Sequence, residues 1–522
     1  MFLLPRTRLA RDYPGLTVDG VVLEACRQFG GRTALVDYST KPPRRLTYAQ
    51  YGDLVERAGK SFAARFHPGE VIAIFLYNSW EFCVAYHAAT LSGCIPTLLN
   101  PTYREREVRY QLEDAGAVAL ITDGSLIEGI NLSGLPKLRE IFCIRSSSSG
   151  TAAFSGLFET NSGQIPKPTS DPVETLAALP YSSGTTGLPK GVMLSHANLV
   201  SNVFQFLAPG EEATYTAQDS ALCPLPLYHI YGLNVVLNPV LAVGAKLVLI
   251  PRYDESTLLR LLVEEAVTFM PLVPPLVNCL CQAAEQGRFP RDHSVRYVKS
   301  GAAPLAPELP RRLAELTGIR LRQGYGMTEA APVTHMGFLE PELYRPDSIG
   351  PALALTDCRL EGGGDPQSGE LVMRGPQFML GYWNAPEATA SALRDGWYWS
   401  GDIATVDDKG FFTIVDRVKE MIKYKGFSIA PAEVEAVLLE HPLVRDCGLV
   451  GRQDTVAGEV PCAFVVLRDA GQQNAKVANE LCGYVADRLT HYKQPRDVRF
   501  VSSIPRNPSG KILRRRLREE LA

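Results

Sequence analysis

Short apolar runs alternate with helical windows along most of this 522-residue sequence. The run Val71–Leu76 reads Val-Ile-Ala-Ile-Phe-Leu, and an amphipathic helical window is predicted directly after it, over Trp80–Leu91. This alternation is typical of parallel sheets covered by helices, so the sequence predicts an α/β fold. Further strands are predicted at Val118–Thr122, Lys246–Ile250 and Arg296–Ser300, and further helices at Glu255–Glu265 and Glu308–Thr317.

A domain boundary is predicted near Asp416, because the chain beyond it has its own alternation of elements. A hairpin is predicted to run to Ser428. Helices are predicted after it at Pro431–His441 and Ala475–Leu489, with a basic helix at the end of the chain. Strands are predicted at Val444–Gly451, Val460–Leu467 and Val498–Ser503. About a hundred residues of this kind can fold as a separate α+β domain. We therefore expect a large N-terminal domain over residues 1–416 and a small C-terminal domain over residues 417–522.

Composition excludes several classes of protein. The sequence has 53 Lys and Arg against 56 Asp and Glu, a net charge of −3. This balance does not favour binding of nucleic acid, which usually calls for a strongly basic face. The eleven cysteines are scattered without a CxxC pair, which indicates reduced thiols and a cytoplasmic protein. The most apolar stretch, Ala221–Ile250, contains Pro224, Pro226 and Lys246, so a strand–loop–helix–strand passage is predicted there instead of a membrane span.

The segment Tyr181–Gly191 reads Tyr-Ser-Ser-Gly-Thr-Thr-Gly-Leu-Pro-Lys-Gly and indicates a loop that binds a polyphosphate. Glycine lets backbone N–H groups turn towards an anion, hydroxyls add donors, and Lys190 adds a mobile positive charge. The spacing does not fit a Walker A loop, which has four residues between its first glycine and a Gly-Lys-Ser/Thr end. A flexible surface linker is the alternative. The residues predicted to contact phosphate are Ser182, Ser183, Gly184, Thr185, Thr186, Gly187 and Lys190.

Four more motifs follow in order: Gln323–Glu329, Tyr398–Asp402, Asp416–Gly426 and Asn507–Lys511. Together with the first motif they resemble the acyl-adenylate-forming (AMP-binding) superfamily, which includes acyl-CoA synthetases, adenylation domains and firefly-type luciferases. The resemblance covers nearly the whole chain. The segments that most resemble the 4-coumarate-CoA ligase branch are Pro226–Gly232, Val298–Pro304 and Val415–Glu435.

This resemblance implies a large N-terminal domain with a barrel-like subdomain and a small mobile C-terminal domain. It implies an ATP-dependent acid–CoA ligase that uses Mg²⁺ and coenzyme A and forms an acyl-AMP intermediate. A cinnamate- or coumarate-like aromatic acid is the expected substrate, with a medium-chain fatty acid next, and the protein is expected to be a monomer or weak dimer. The alternatives are an adenylation enzyme that loads an acyl carrier protein, a luciferase-like oxygenase and a non-catalytic nucleotide-binding regulator.

The resemblance also assigns the nucleotide-binding residues. Thr328 is expected to contact the α-phosphate and Glu329 to hold Mg²⁺, although the two could instead be a helix N-cap pair. Asp402 is expected to accept hydrogen bonds from the ribose, although an Asp after Ser-Gly is also a common turn residue. Tyr325 is expected to stack on adenine, with Gly301, Ala302 and Ala303 opposite it, and Arg417 is expected to assist at the ribose or phosphate. Gly324 and Gly326 suggest close approach of the backbone to a ligand. The other residues expected to contact the nucleotide are Gln323 and Met327.

Lys511, in a turn too exposed for a core residue, resembles the adenylation lysine, which bridges the carboxylate and the α-phosphate. Lys419 resembles the hinge about which the small domain rotates, after which Lys423, Lys425 and Gly426 would face the acyl-adenylate. A charged hairpin face is the alternative. Ser428 replaces a glutamine common in coumarate ligases, which puts the detailed contacts of this hairpin in doubt.

The acid pocket is likewise assigned by resemblance, and its small residues leave room for a flat ring or an alkyl chain. His229, which is also a catalytic candidate, could instead be a core histidine. Val235 replaces a polar residue that in some relatives binds the ring hydroxyl, and Lys299 needs a partner if it is buried. The predicted pocket residues are His229, Tyr231, Val235, Lys299, Gly301, Gly326, Pro332 and Val333.

Overall fold

The computed structural model describes most of the chain from residue 16 to residue 521. The described ranges are 16–145, 150–159, 163–167, 169, 171–182, 188–207, 215–362, 366–417, 420–424, 427–454, 457–489, 491–507 and 510–521.

Helices and strands are numbered here in chain order. The α-helices are α1 Val18–Gln28, α2 Tyr48–Ala63, α3 Trp80–Leu91, α4 Glu105–Ala115, α5 Gly124–Ile127, α6 His196–Phe206, α7 Asn238–Ala242, α8 Glu255–Glu264, α9 Pro274–Glu285, α10 Glu308–Thr317, α11 Pro386–Ala392, α12 Pro431–Leu439, α13 Ala475–Ala486 and α14 Arg514–Glu519. A π-helix spans Gly232–Leu237, and 3-10 helices span Phe154–Phe158, Thr328–Ala330, Ala470–Gln472 and His491–Lys493.

The strands are β1 Thr33–Asp37, β2 Arg44–Thr47, β3 Val71–Phe75, β4 Ile95–Leu98, β5 Ala117–Thr122, β6 Glu140–Cys143, β7 Ala152–Ala153, β8 Leu176–Ala178, β9 Tyr181–Ser182, β10 Lys190–Ser195, β11 Ser220–Cys223, β12 Lys246–Leu249, β13 Phe269–Leu272, β14 Tyr297–Ser300, β15 Arg320–Gly326, β16 Val333–Met336, β17 Asp357–Glu361, β18 Ser368–Arg374, β19 Gly381–Tyr382, β20 Leu393–Arg394, β21 Trp397–Val406, β22 Phe412–Arg417, β23 Ile422–Tyr424, β24 Phe427–Ile429, β25 Val444–Asp454, β26 Gly458–Leu467 and β27 Asp497–Phe500.

Two largely parallel sheets form the centre of the molecule. The eight-stranded sheet has the order β16-β15-β14-β13-β11-β12-β1-β2 and is antiparallel only at its two edges. The five-stranded sheet, β4-β3-β5-β6-β7, is parallel throughout. The predicted α/β class is thereby confirmed. Because strands β13, β14 and β15 are parallel neighbours, the residues that follow them meet at one edge of the sheet.

Antiparallel sheets complete the fold. Strands β8, β9, β10 and β19 form one, and β17, β18, β20, β21 and β22 form a half-barrel-like second. Residues after β22 form a separate C-terminal sheet, β24-β23-β26-β25 with β27 beside β26, covered by α12 and α13 around their own apolar core. The boundary at residue 416 stays a prediction.

The predicted elements recur with small shifts at their ends. Helix α3 has the predicted bounds, because the Ser79 hydroxyl accepts from the Phe82 N–H and caps it. The prediction that this helix is amphipathic was wrong, since it is buried on almost every face between sheet and helices. Ser146–Gly163 was predicted as a loop, yet its described part contains strand β7 and a 3-10 helix. No helix within the described ranges is both long and apolar enough to cross a membrane.

Candidate active site

One cavity of about 740 Å³ brings most of the predicted site residues together. It opens beside the carboxyl ends of β14 and β15, and β9, β10, β21, β22 and the turn before α14 form its other walls. The predicted residues that line it are Ser182, Lys190, His229, Tyr231, Val235, Lys299, Gly301, Ala302, Gly324, Tyr325, Gly326, Met327, Thr328, Glu329, Pro332, Val333, Asp402, Arg417 and Lys511.

Three predicted residues within the described ranges lie elsewhere. Ala303 and Gln323 are not in the cavity lining, and the Gln323 amide donates to the Pro346 carbonyl at 3.0 Å. Lys423 belongs to β23, opposite Ser428 of β24. Eight further predicted residues fall outside the described ranges, namely Ser183, Gly184, Thr185, Thr186, Gly187, Lys419, Lys425 and Gly426.

Glu329 organises the end of the cavity that lies beside the predicted phosphate loop. Its Oε1 accepts hydrogen bonds from the Ser182 hydroxyl at 3.0 Å and from the Tyr382 hydroxyl at 2.9 Å. Ser182 and Lys190 pair across β9 and β10, and the Lys190 ammonium lies 6.0 Å from the centre of the Tyr382 ring. A hydroxyl, a carboxylate and an ammonium thus line the same part of the cavity. A site for a metal-bound polyphosphate requires these three groups.

The surroundings of Glu329 fit Mg²⁺ better than a metal with an all-protein ligand set. Two hydroxyl donors hold Oε1, which leaves Oε2 of this buried carboxylate for a hard cation. Within the part of the chain that the structure describes, no three His, Cys, Asp or Glu side chains are grouped as metal ligands. Mg²⁺ commonly keeps its waters and binds one or two carboxylates together with substrate phosphates.

The helix-cap interpretation of Thr328 and Glu329 finds no support in the geometry. Both residues lie inside a short 3-10 helix, and the residue before it, Met327, makes no side-chain capping bond. The Glu329 carboxylate instead reaches Ser182 and Tyr382, far away in the sequence.

Asp402 is held from two sides at the other end of the cavity. The Tyr325 hydroxyl donates to Oδ2 at 2.5 Å, and the Arg417 Nε lies 2.9 Å from Oδ1. Burial and the neighbouring Asp402 charge raise the pKa of Tyr325 well above its ordinary value, so its hydroxyl keeps its proton. A carboxylate has about four lone-pair directions, so Asp402 can still accept from both hydroxyls of a ribose.

Hydrogen bonds hold the peptide group that joins Gly510 to Lys511. The Lys511 backbone N–H donates to Oδ1 of Asn507 at 2.9 Å, and Arg506 holds the Gly510 carbonyl at 2.8 Å. Lys511 is half-buried, which corrects its interpretation as an exposed side chain. Burial, reinforced by the positive charge of Arg417, lowers the pKa of Lys511 to about 8. An anion bound beside Lys511 would raise this pKa again and favour the charged ammonium.

The glycines of the Gln323–Glu329 segment serve protein packing. A Cβ at Gly326 would collide with the Pro332 carbonyl oxygen, and one at Gly324 would lie 2.9 Å from Cε of Lys299. The protein's own chain approaches both glycines closely, and their approach to a nucleotide stays a prediction. Gly326 thereby brings β15 against Pro332 and Val333 and sets one wall of the cavity.

The remaining wall is mostly apolar and contains a few buried polar groups. Val235 lies fully buried in the π-helix, a conformation frequent at functional sites. Nδ1 of His229 accepts from the Tyr231 N–H at 3.2 Å, and burial lowers the pKa of His229 to about 4, so the imidazole is neutral. Lys299 is only 2% exposed, and its ammonium lies 4.3 Å from the centre of the Phe206 ring.

Comparison with known proteins decides the family. The AMP-binding enzyme family matches residues 22–383, and the AMP-binding enzyme C-terminal domain family matches residues 433–511. The chain belongs to the AMP-binding enzyme family.

Similar proteins support the same conclusion over the full length. 4-Coumarate–CoA ligase 2 from Nicotiana tabacum is 39% identical over 524 residues, which cover 97% of this chain and 95% of that protein. The o-succinylbenzoate CoA synthetase from Bacillus subtilis, solved with an acyl-adenylate, is 30% identical with a TM-score of 0.80, covering 95% and 97% of the two chains. ATP-bound MatB from Rhodopseudomonas palustris is 26% identical with a TM-score of 0.85, covering 97% and 99%.

The enzyme class follows from this membership together with the 4-coumarate–CoA ligase relatives. The AMP-binding enzyme described here is an AMP-forming acid–CoA ligase, as predicted, and ATP, Mg²⁺ and CoA are the cofactors of that class. The identity of the acid is a separate question.

Sequence reasoning missed several residues of this AMP-binding enzyme's cavity. Tyr382 donates to Glu329. Tyr398, the first residue of the Tyr398–Asp402 motif, also lines the cavity, and burial together with the Glu329 charge raises its pKa well above the ordinary value. Tyr382 stands in no recognised motif, and only the side-chain contact identifies it. Asn507 and Leu513 line the cavity on either side of Lys511, and Asn507 could have been found as the first residue of the last motif.

Proposed function

We propose that this ligase activates a cinnamate- or coumarate-like aromatic acid as acyl-AMP, with release of pyrophosphate, and then transfers the acyl group to CoA. The observation that carries the proposal is one cavity with cationic, anionic and apolar parts. Lys190 and Glu329 lie at one end of the cavity, and Asp402 lies at the other end. Lys511 and Arg417 also line it, and the wall around Val235 is its apolar part.

In the first step, the carboxylate oxygen of the acid attacks the α-phosphorus of ATP, and pyrophosphate leaves. The two reacting groups are both anionic, so the rate depends on neutralising their charge and fixing their positions. Lys511 is proposed to bridge the carboxylate and the α-phosphate, and Thr328 to contact the α-phosphate. The low pKa of Lys511 in the free protein supports this role, since bound anions would restore the ammonium.

The ATP-binding residues have correspondingly distinct roles. Lys190 and Ser182 are proposed to hold the phosphates that leave, together with the segment from Ser183 to Gly187. Mg²⁺, when bound at Glu329, would neutralise phosphate charge. Tyr325 is proposed to stack on adenine beside Gly301 and Ala302, while Asp402 and Arg417 contact the ribose.

In the second step the sulfur of CoA attacks the acyl carbonyl carbon, and AMP leaves. We propose that residues 417–522 rotate about Lys419 between the two steps. Rotation would withdraw Lys511 and bring Lys423, Lys425 and Gly426 to the acyl-adenylate.

An aromatic acid is favoured because the pocket has a mostly apolar wall and because 4-coumarate–CoA ligases from several plants are 37–39% identical to this chain. Val235, Pro332 and Val333 offer no hydrogen bond through their side chains, and burial keeps His229 neutral. An alkyl chain would suit the same wall, so medium-chain fatty acids are the second candidate. Loading of an acyl carrier protein is the third.

An acid panel tests the proposal. Pyrophosphate release would be measured with cinnamate, 4-coumarate, benzoate and octanoate, with and without CoA, and with Lys511→Ala as the inactive control. We expect the arylpropenoic acids to give the highest kcat/KM and to yield acyl-CoA. A preference for octanoate would overturn the aromatic assignment, and adenylation with transfer only to a carrier protein would overturn the CoA assignment.

A further inference from the structure

Helix α4 runs beside both ends of the predicted phosphate loop, although it contributes no residue to any of the five motifs. Gln111 on this helix donates to the Thr97 hydroxyl at 3.0 Å, and Thr97 in turn donates to the Leu179 carbonyl at 2.8 Å. Leu179 lies two residues before the start of the loop at Tyr181. The helix is thereby joined to the strand that leads into the loop.

The entrance of the loop is fixed by a second, direct bond. The Tyr181 hydroxyl donates to Oδ2 of Asp114 at 2.5 Å. Burial and the Asp114 charge raise the pKa of Tyr181, so this hydroxyl remains a donor. Ser182, whose hydroxyl donates to Glu329, is the next residue along the chain.

The exit of the loop is held by Tyr110, which lies one helical turn before Asp114 on α4. The Tyr110 hydroxyl donates to the Pro189 carbonyl at 2.9 Å, and Lys190 follows Pro189 directly. Tyr110 and Asp114 are four residues apart, so they project from one face of α4. One helix face therefore holds Tyr181 and Pro189, the residues that directly precede Ser182 and Lys190.

The same helix end also holds the turn that carries Tyr382. The Asp114 carbonyl accepts from Nε1 of Trp383 and from Nδ2 of Asn384, each at 3.0 Å. The preceding residue, Tyr382, donates to Glu329. All three side chains around the proposed phosphate and Mg²⁺ site are thus tied to α4 through their neighbours.

We infer that Tyr110 and Asp114 are positioning residues for ATP, which hold the paired residues Ser182 and Lys190 in place beside the nucleotide phosphates. This inference rests on the proposed roles of Ser182, Lys190 and Glu329. Neither Tyr110 nor Asp114 lines the cavity within the described residues, so each acts through Tyr181 or Pro189.

Loss of the hydrogen bond from Tyr110 to Pro189, or of the one from Tyr181 to Asp114, is expected to affect the ATP-dependent step alone. Tyr110→Phe deletes one hydroxyl and leaves the ring, and Asp114→Ala leaves the backbone carbonyl that holds Trp383 and Asn384. Loss of one such hydrogen bond raises KM for ATP about three- to ten-fold. The KM for the acid and the rate of thioester formation from supplied acyl-adenylate stay within about two-fold of wild type, because neither needs the loop held.

The experiment measures the dissociation constant of MgATP by calorimetry and the KM for ATP, on the full chain, for Tyr110→Phe, Asp114→Ala, Asp114→Asn and Tyr181→Phe. Asp114→Asn retains an acceptor and is expected to show the smaller effect. Tyr181→Phe and Asp114→Ala break the same bond, so their double variant is expected to bind ATP no more weakly than either single variant.

Arg109→Ala is the matched control, since Arg109 lies on α4 but donates to the carbonyls of Asn131 and Ser133, away from the loop. Unchanged ATP affinity in Tyr110→Phe and Asp114→Ala, or an equal loss in Arg109→Ala, would overturn the inference. Calorimetry separates this outcome from failure of the proposed function. Wild-type protein that binds MgATP yet releases no pyrophosphate with any acid would overturn the function alone.

Discussion

Tyr325 and Asp402 are joined by a 2.5 Å hydrogen bond between two different sheets. Tyr325 lies next to the last residue of strand β15, and Asp402 lies in the antiparallel strand β21. Arg417, on the neighbouring strand β22, lies 2.9 Å from the other Asp402 oxygen. The proposed ribose acceptor is therefore oriented before any nucleotide binds.

Tyr325→Phe is expected to raise KM for ATP about ten-fold, because a hydrogen bond to a charged group contributes roughly 1.5 to 3 kcal/mol. The ring that would stack on adenine remains. Tyr344→Phe is the control, since the Tyr344 hydroxyl donates to the Leu321 carbonyl on the same strand outside the cavity. Steady-state kinetics with ATP varied distinguishes the two, and equal effects would show that only the stability of β15 had changed.

Acyl-AMP formation is expected to slow as the pH rises above about 8. Lys511 has its pKa lowered to about 8, so it carries its charge below that pH and loses it above. We predict that kcat/KM for pyrophosphate release falls about ten-fold per pH unit on the alkaline side. Arginine stays charged, so the residual activity of Lys511→Arg should lack this fall. If kcat/KM still falls with pH in Lys511→Arg, a group other than Lys511 causes the fall.

The proposed acid pocket predicts no preference for a para-hydroxyl group. Val235 offers the ring no partner, and the Tyr231 hydroxyl is engaged with the carbonyls of Leu272 and Lys299 at 3.3 and 3.2 Å. A hydroxyl buried without a partner costs about 1 to 3 kcal/mol. Cinnamate should therefore be used at least as well as 4-coumarate, and Val235→Ser should shift kcat/KM towards 4-coumarate. A ten-fold preference of wild type for 4-coumarate would contradict this.

Two glycine substitutions should have opposite effects on stability. Gly326→Ala places a Cβ against the Pro332 carbonyl and should lower the free energy of unfolding by about 1 to 3 kcal/mol, with loss of activity. Gly483→Ala, in helix α13 where a Cβ has no atom within 4 Å, should raise it by about 0.5 to 1 kcal/mol. Urea denaturation measures both. A stable, active Gly326→Ala variant would show that the Pro332 wall can move without consequence.

The sequence predicted best where local signals agree. Helices α3 and α10 have the predicted bounds, because Ser79 caps the first and Gly318, in the left-handed region at φ 74°, ends the second. The sequence could not predict that α3 is buried on almost every face, since that depends on which sheets pack around it.

The site was predicted by its motifs and not by its contacts. Ser182 and Glu329 meet across 147 residues of sequence, and Tyr382 joins them from a segment without a motif. Contacts at such separations depend on the register of β10 against β9 and β19, which no local pattern fixes. The same holds for Tyr110 and Asp114, whose pairing with the loop appears only once α4 is packed.

The most direct measurement is a rapid-quench assay of wild type and Lys511→Ala with cinnamate and MgATP, followed by addition of CoA. Wild type should form cinnamoyl-AMP and pyrophosphate, and CoA should then convert the intermediate into cinnamoyl-CoA. Lys511→Ala should form acyl-AMP about 100 to 1000 times more slowly, yet convert supplied cinnamoyl-AMP to the thioester nearly as fast as wild type. Equal losses in both half-reactions, or no acyl-AMP from wild type with any aromatic acid, would contradict the account.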